Sequence, residues 1–108
     1  MKVEFIRALA YCNDRRALDR KHGRLADAIR RRLAQLAAFD TLDDVRKMPG
    51  LACHALTGDR AGQIALSVNK NWRLILELPD AAEVRKPDGG LDFSRIDCVR
   101  VIEIVDYH

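Results

Sequence analysis

The most constraining feature of this chain is a change in the spacing of its apolar residues near the middle. Leu25, Ile29, Leu33 and Leu36 recur at steps of four, four and three, which lines one side of an α-helix and requires a second surface to bury it. After Pro49-Gly50 the pattern changes. Segments 51–56, 63–68 and 72–78 are short and β-prone, and turn signals at Thr57-Gly58-Asp59-Arg60 and Asn69-Lys70-Asn71 separate them. A final apolar run holds Val99, Val101, Ile102, Ile104 and Val105. Amphipathic helices followed by consecutive strands predict an α+β architecture: two N-terminal helices on one face of a four- to five-stranded, mainly antiparallel sheet. Strand order is left open by the pattern.

The remaining segments fit this plan. Val3 to Ile6 alternates as a first edge strand, and a helix starts near Asn13, with Asn13 or Asp14 as cap and Leu18 facing inward, until Gly23 ends it. Thr41 with Asp44 three residues later predicts a capped helical turn to Lys47, stopped by Met48-Pro49-Gly50. Residues Pro79 to Ser94, with Pro87-Asp88-Gly89-Gly90, read as a long surface loop. A length of 108 residues suits one core, hence one domain over 1–108. Cys12, Cys53 and Cys98 are odd in number and lack zinc-ligand spacing, so neither a disulfide scaffold nor structural zinc is expected. No apolar run approaches the roughly 18 to 20 residues needed to span a bilayer, and Met1 to Arg7 lacks a signal-peptide core, so a cytoplasmic protein without membrane contact is expected.

Charge is unevenly distributed. Residues 1–54 carry twelve Lys and Arg against seven Asp and Glu, whereas the rest carries seven against nine. The positive half suits a polyanion such as nucleic acid, although basic helix faces are often only solvated.

Polar residues at strand ends and turns are the candidates for chemistry, because a core has no use for them. They are His54, Arg60, Lys70, Asn71, Arg73, Asp106, Tyr107 and His108. Histidines, cations and a carboxylate are what metal-free phosphodiester cleavage requires. A base takes the ribose 2′-hydroxyl proton, an acid protonates the departing 5′-oxygen, and cations offset charge growing on the phosphate. Each residue also has a plain alternative. His54, between Cys53 and Ala55, is equally readable as a hydrogen-bonded histidine on the sheet, Arg73 as a surface arginine, and Asp106-Tyr107-His108 as a frayed tail. If the tail is ordered, Asp106 can orient His108 and Tyr107 can stack on a base. His22 reads as exposed and without a role.

Three blocks carry a family resemblance: His54-Ala55-Leu56-Thr57-Gly58-Asp59-Arg60-Ala61-Gly62-Gln63, then Ser67-Val68-Asn69-Lys70-Asn71-Trp72-Arg73, and the terminal Asp106-Tyr107-His108. In this order they resemble the HigB-type toxins of the RelE/ParE superfamily. The loop around Pro87-Asp88-Gly89-Gly90-Leu91-Asp92 looks like the subgroup termed killer protein or killer suppression protein. The resemblance implies a RelE/ParE-like toxin domain that enters the ribosome and cuts messenger RNA there without a cofactor. It also implies a HigA-like helix-turn-helix antitoxin as partner, in a complex that binds operator DNA. His108 would then be general base, Asp106 and Tyr107 its supporting neighbours, Arg73 the phosphate-stabilising arginine and His54 a further active-site histidine. Arg60, Lys70, Asn71, Arg24, Arg30, Arg31 and Arg32 would contact RNA. Relatives commonly carry lysine just before the Gly-Asp-Arg turn, where this chain has Thr57, so Arg60 or Lys70 would have to supply that charge. The other reading is a non-catalytic toxin of the same fold, directed at gyrase or bound only to its antitoxin.

Overall fold

A computed structural model describes residues 1–106. The Asp14 side chain accepts hydrogen bonds from the backbone N–H groups of Arg16 (2.9 Å) and Ala17 (3.1 Å) and so starts α1, Arg15–His22. The last turn of α1 carries Arg20, Lys21 and His22, the charge type that suits a helix C-terminus. Gly23, at φ 54°, stops it. A single 3₁₀ turn leads into α2, Ala26–Ala38, which buries Ala26, Ile29 and Leu36 and packs Leu33 against the core. The expected four-and-three stripe is therefore the inner side of this helix. A short α3, Leu42–Arg46, buries Leu42 and Val45. Thr41 precedes it but makes no side-chain cap hydrogen bond, contrary to the capping expected from sequence; the charges of this helix are settled instead by Asp43 pairing with Arg46 and Lys47.

Five strands form one sheet in the order β1-β5-β4-β3-β2, with β1 Lys2–Phe5, β2 His54–Ala55, β3 Ile64–Ser67, β4 Trp72–Glu77 and β5 Cys98–Asp106. β2 to β5 are antiparallel in succession, and β1 joins the edge parallel to β5. Ile64, Leu66, Leu74, Leu76, Val99 and Val101 face the helices and interlock with Leu18, Ile29, Leu36, Leu42 and Val45. Helices α1, α2 and α3 all bury their apolar residues against this face.

The register between β4 and β5 shifts once. Ile75 pairs with Glu103 but Leu76 pairs with Val101, leaving Ile102 as an extra residue on β5. Such a bulge reverses the alternation of side chains beyond it. Val99 and Val101 lie in the core below the shift, Ile104 is the core-packed residue above it, and Glu103 and Val105 turn to the open face.

Two expected segments differ from the sequence reading. Residues 51–56 pair only at His54 and Ala55, because Pro49–Leu51 forms a 3₁₀ turn and Ala52 adopts a left-handed conformation at φ 47°, which turns Leu51 and Cys53 into the core. The segment from Pro79 to Ser94 is more than a surface loop. It contains 3₁₀ turns at Ala81–Val84 and Phe93–Arg95, an Arg85 to Leu91 bridge, and buried Val84 and Phe93.

His22 also departs from expectation. Its Nε2 lies 2.7 Å from the Tyr11 hydroxyl, tying the 3₁₀ segment Arg7–Asn13 to the end of α1. Burial, with a smaller contribution from Lys21, pushes the His22 pKa below its ordinary value. The folded protein thus holds His22 neutral at a pH where the unfolded chain protonates it. This stabilisation is complete above the ordinary histidine pKa of about 6.5 and is lost as pH falls below it. The urea stability advantage of wild type over His22→Gln should therefore shrink between about pH 7 and pH 5; a difference that stays constant across that range would count against the assignment.

Candidate functional site

The open face of the sheet carries a cleft of about 370 Å³ lined by Leu56, Thr57, Arg60, Ile75, Val105 and Asp106. Ile75 is only 2% exposed although it lies on the face of the sheet away from the helical core. The connection from β2 to β3 accounts for the cleft's other wall: it contributes Leu56, Thr57 and Arg60 opposite Ile75 and Val105.

Register places the candidate residues in rows across this face. His54 pairs with Ala65, Ala65 with Ile75, and Ile75 with Glu103. The next row is Ser67, Arg73 and Val105. Paired residues share a face, so His54, Glu103 and Arg73 look out on the same side as the cleft. Asp106 ends β5 opposite Trp72, exposed at the cleft rim.

His54 is held by its neighbours. Its Nδ1 is 2.8 Å from the carbonyl oxygen of Ala52. A carbonyl only accepts, so Nδ1 carries the proton, and in the neutral ring Nε2 keeps a lone pair able to accept a hydrogen bond. The left-handed Ala52, φ 47° and ψ 41°, sets that carbonyl. A non-glycine residue in this conformation is strained.

Arg73 donates from Nη1 to the carbonyl oxygens of Asn69 (2.8 Å) and Trp72 (3.0 Å). Its guanidinium is thereby anchored to the β3–β4 turn. Asn69 builds that turn: its side-chain oxygen accepts from the backbone N–H groups of Asn71 and Trp72, both at 2.9 Å. Lys70 and Asn71 stand exposed at its tip. Thr57 brings no charge to the cleft. Arg60 does, and its Nη1 contacts Gln63 Oε1 at 2.9 Å and Glu103 Oε1 at 2.7 Å. Glu103 was not singled out in the sequence, because it sits inside an apolar strand pattern whose phase the bulge alters.

The basic helical residues are elsewhere. Arg24, Arg30, Arg31 and Arg32 belong to the helical layer, on the other side of the sheet from the cleft. Arg24 and Arg31 are exposed. Arg30 is paired with Asp19 and Asp27. Arg32 is partly buried, donates from Nη2 to the Val68 carbonyl oxygen at 3.0 Å and binds Gln35, and burial, then Arg31, lowers its pKa. Arg32 thus joins α2 to the end of β3, and Arg30 joins α1 to α2. Tyr107 and His108 lie outside the described residues. Among the described residues no group of three or more His, Cys, Asp or Glu is placed to hold a metal ion, and no helix is long and apolar enough to cross a membrane.

Substitution should separate these cations. Arg32→Ala removes the α2-to-β3 link and should lower unfolding free energy by about 1–2 kcal/mol, whereas Arg31→Ala should stay within about 0.5 kcal/mol of wild type. Equal denaturant midpoints for the two variants would contradict this division.

Over its full length the chain superposes on the full length of a YoeB/ParE toxin from Agrobacterium tumefaciens, with a TM-score of 0.52 and 14% identity. A mutant of YafQ from E. coli gives a TM-score of 0.53 at 16% identity, covering 97% of this chain and 91% of that one. YafQ from E. coli strain BL21(DE3) gives 0.51 at 14% identity with the same coverage. At these identities the likeness concerns the fold. No curated protein sequence matches. The HigB-like toxin family, described as RelE-like toxin of type II toxin-antitoxin system HigB, matches residues 9–87, which contain His54, Thr57, Arg60 and Arg73. With most of its length in that match and its fold shared with YoeB/ParE and YafQ toxins, the chain belongs to the HigB-like family of RelE-like type II toxins.

Proposed function

We propose that this toxin is a metal-free endoribonuclease that cuts messenger RNA on the ribosome and that the open-face cleft is where the strand is cut. The observation that carries the reading is the convergence of separate segments on the open face. His54 from β2, Arg60 from the following turn and Arg73 from β4 lie on or beside the cleft, and Asp106, paired with Trp72, ends β5 at its rim. An RNA backbone laid along such a face meets cations and an imidazole together.

In this mechanism a base removes the proton from the ribose 2′-hydroxyl, whose oxygen attacks the adjacent phosphorus. An acid then protonates the 5′-oxygen as its bond to phosphorus breaks. His108 is assigned as base. It follows Asp106 by two residues, a chain reach of about 7 Å. Asp106 favours the cationic form of that imidazole, and Tyr107 stacks on a base. His54, with Nε2 facing substrate once protonated, is assigned as acid. Arg73 and Arg60 offset the charge that builds on the phosphate. Arg24 and Arg31 make longer-range contacts with ribosomal RNA phosphates, Arg30 and Arg32 adding to the same positive field while serving the fold, and Lys70 and Asn71 meet the strand at the turn.

A type II toxin implies an antitoxin partner. We assign a HigA-like helix-turn-helix protein to this role, with operator DNA as ligand of the complex and the cytoplasm as its place of action.

Induction in cells followed by mapping of messenger 5′ ends tests the reading. Wild type should arrest growth and leave codon-associated cuts. His108→Ala, at equal protein level, should reduce cutting by about 10²- to 10⁴-fold. Undiminished cutting by that variant would refute the assigned base, and growth arrest with DNA damage but no cuts would favour the gyrase-directed reading.

A further inference from the structure

Arg60 carries the charge in a cleft where Thr57 supplies none, and its contacts are one-sided. Its Nη1 donates to Gln63 Oε1 at 2.9 Å and lies 2.7 Å from Glu103 Oε1 in an ion pair. A guanidinium has five N–H donors in a flat fork. With Nη1 turned to these two partners, Nε and Nη2 make no hydrogen bond to a described residue. The edge they form has the shape that grips a phosphate with two parallel hydrogen bonds.

Glu103 reaches Arg60 only because of the bulge. Without the extra Ile102, position 103 would continue the alternation of Val99 and Val101 and direct a carboxylate into the helix-facing core. Bulges often serve to re-aim a side chain beside a functional site. The resulting ion pair adds little stability, because its side chains are 43% and 40% exposed and pairs that open to water contribute little. What it does fix is the direction of a long, otherwise mobile side chain.

We infer that Glu103 is a positioning residue of the cleft: with Gln63 it holds the Arg60 guanidinium so that its Nε and Nη2 edge receives an RNA phosphate. This rests on the reading of the cleft as an RNA site and adds to it the residue that orients the cation. Glu103 touches neither the scissile bond nor the reacting oxygens in this scheme. Its effect passes through Arg60.

The sign of the Glu103 effect makes the inference testable. Taking a carboxylate away from an RNA surface should tighten binding if charge alone matters. A positioning role demands the opposite. The probe is a short single-stranded RNA with 2′-O-methyl riboses, which cannot be cut, and its binding to the full-length protein is followed by fluorescence anisotropy from low to moderate salt. Arg60→Ala should weaken binding roughly tenfold at low salt and lower the slope of log affinity against log salt by about one ion. Glu103→Ala should weaken binding and lower the slope in the same direction. Glu103→Gln, which keeps an oxygen acceptor at the same reach, should recover part of the loss. The Arg60→Ala/Glu103→Ala double variant should bind as Arg60→Ala alone, since a residue acting through Arg60 has nothing left to orient. Tighter or unchanged binding by Glu103→Ala, or losses that add in the double variant, would overturn the inference while leaving the RNA site standing. Wild-type protein that does not bind the RNA at all would overturn both.

Discussion

The pairing of β4 with β5, and the single shift within it, is the constraint on which the rest of this structure depends. β5 is an interior strand, with β4 on one side and β1 on the other, so its side chains must satisfy a dry face and a wet face along nine residues. The extra Ile102 lets one strand do so in two phases. Below it, Val99 and Val101 enter the core while Arg100 faces outward and binds Glu77 and Glu4. Above it, Ile104 packs inward, and Glu103 and Val105 join the open face. Had the alternation run unbroken, a carboxylate would have been buried without a partner, at a cost that folded proteins avoid.

One-sided coverage of the sheet has a chemical consequence. The helices remove one face from water, so the other can assemble side chains that a core would reject. On that face the row of Glu4, Arg100 and Glu77 is closed on itself by ion pairs. The neighbouring rows, with His54, Glu103 and Arg73, border the cleft. The chain thus keeps two positive regions apart. Exposed Arg24 and Arg31 sit on the helical layer, while Arg60 lines the cleft and Arg73 pairs with the cleft residue Val105.

The helices were readable because their signals are local. Asp14 before α1, Gly23 after it and the Leu25 to Leu36 stripe each act within a few residues. The same is true of the two turns in the β2-to-β4 meander. Thr41 failed as a cap although the motif was present, since its side chain makes no capping hydrogen bond. The segment from Leu51 to Leu56 looked like a strand by composition, yet the turn at Pro49–Leu51 and the left-handed Ala52 rotate Leu51 and Cys53 inward before pairing begins. Likewise Val84 and Phe93 were hidden inside a polar stretch, and only their burial reveals that the segment closes one end of the core. Arg32, unlike Arg31, falls beside the inner stripe, three residues after Ile29 and four before Leu36, but its bond to the Val68 carbonyl, 36 residues away, is visible only in the fold.

By itself the sequence determined the element types, their order, the inward stripe of α2 and the short set of residues able to do acid–base or phosphate chemistry, because periodicity, capping and side-chain chemistry are properties of neighbouring residues. Only the tertiary structure decided that β1 lies parallel beside β5, that the sheet is covered on one face, and that His54, Arg60 and Arg73 share the other. It also decided the role of Glu103, whose facing depends on one unpaired residue in a ladder between strands distant along the chain. Such register is a balance of burial over the whole sheet, and no local window of residues contains it.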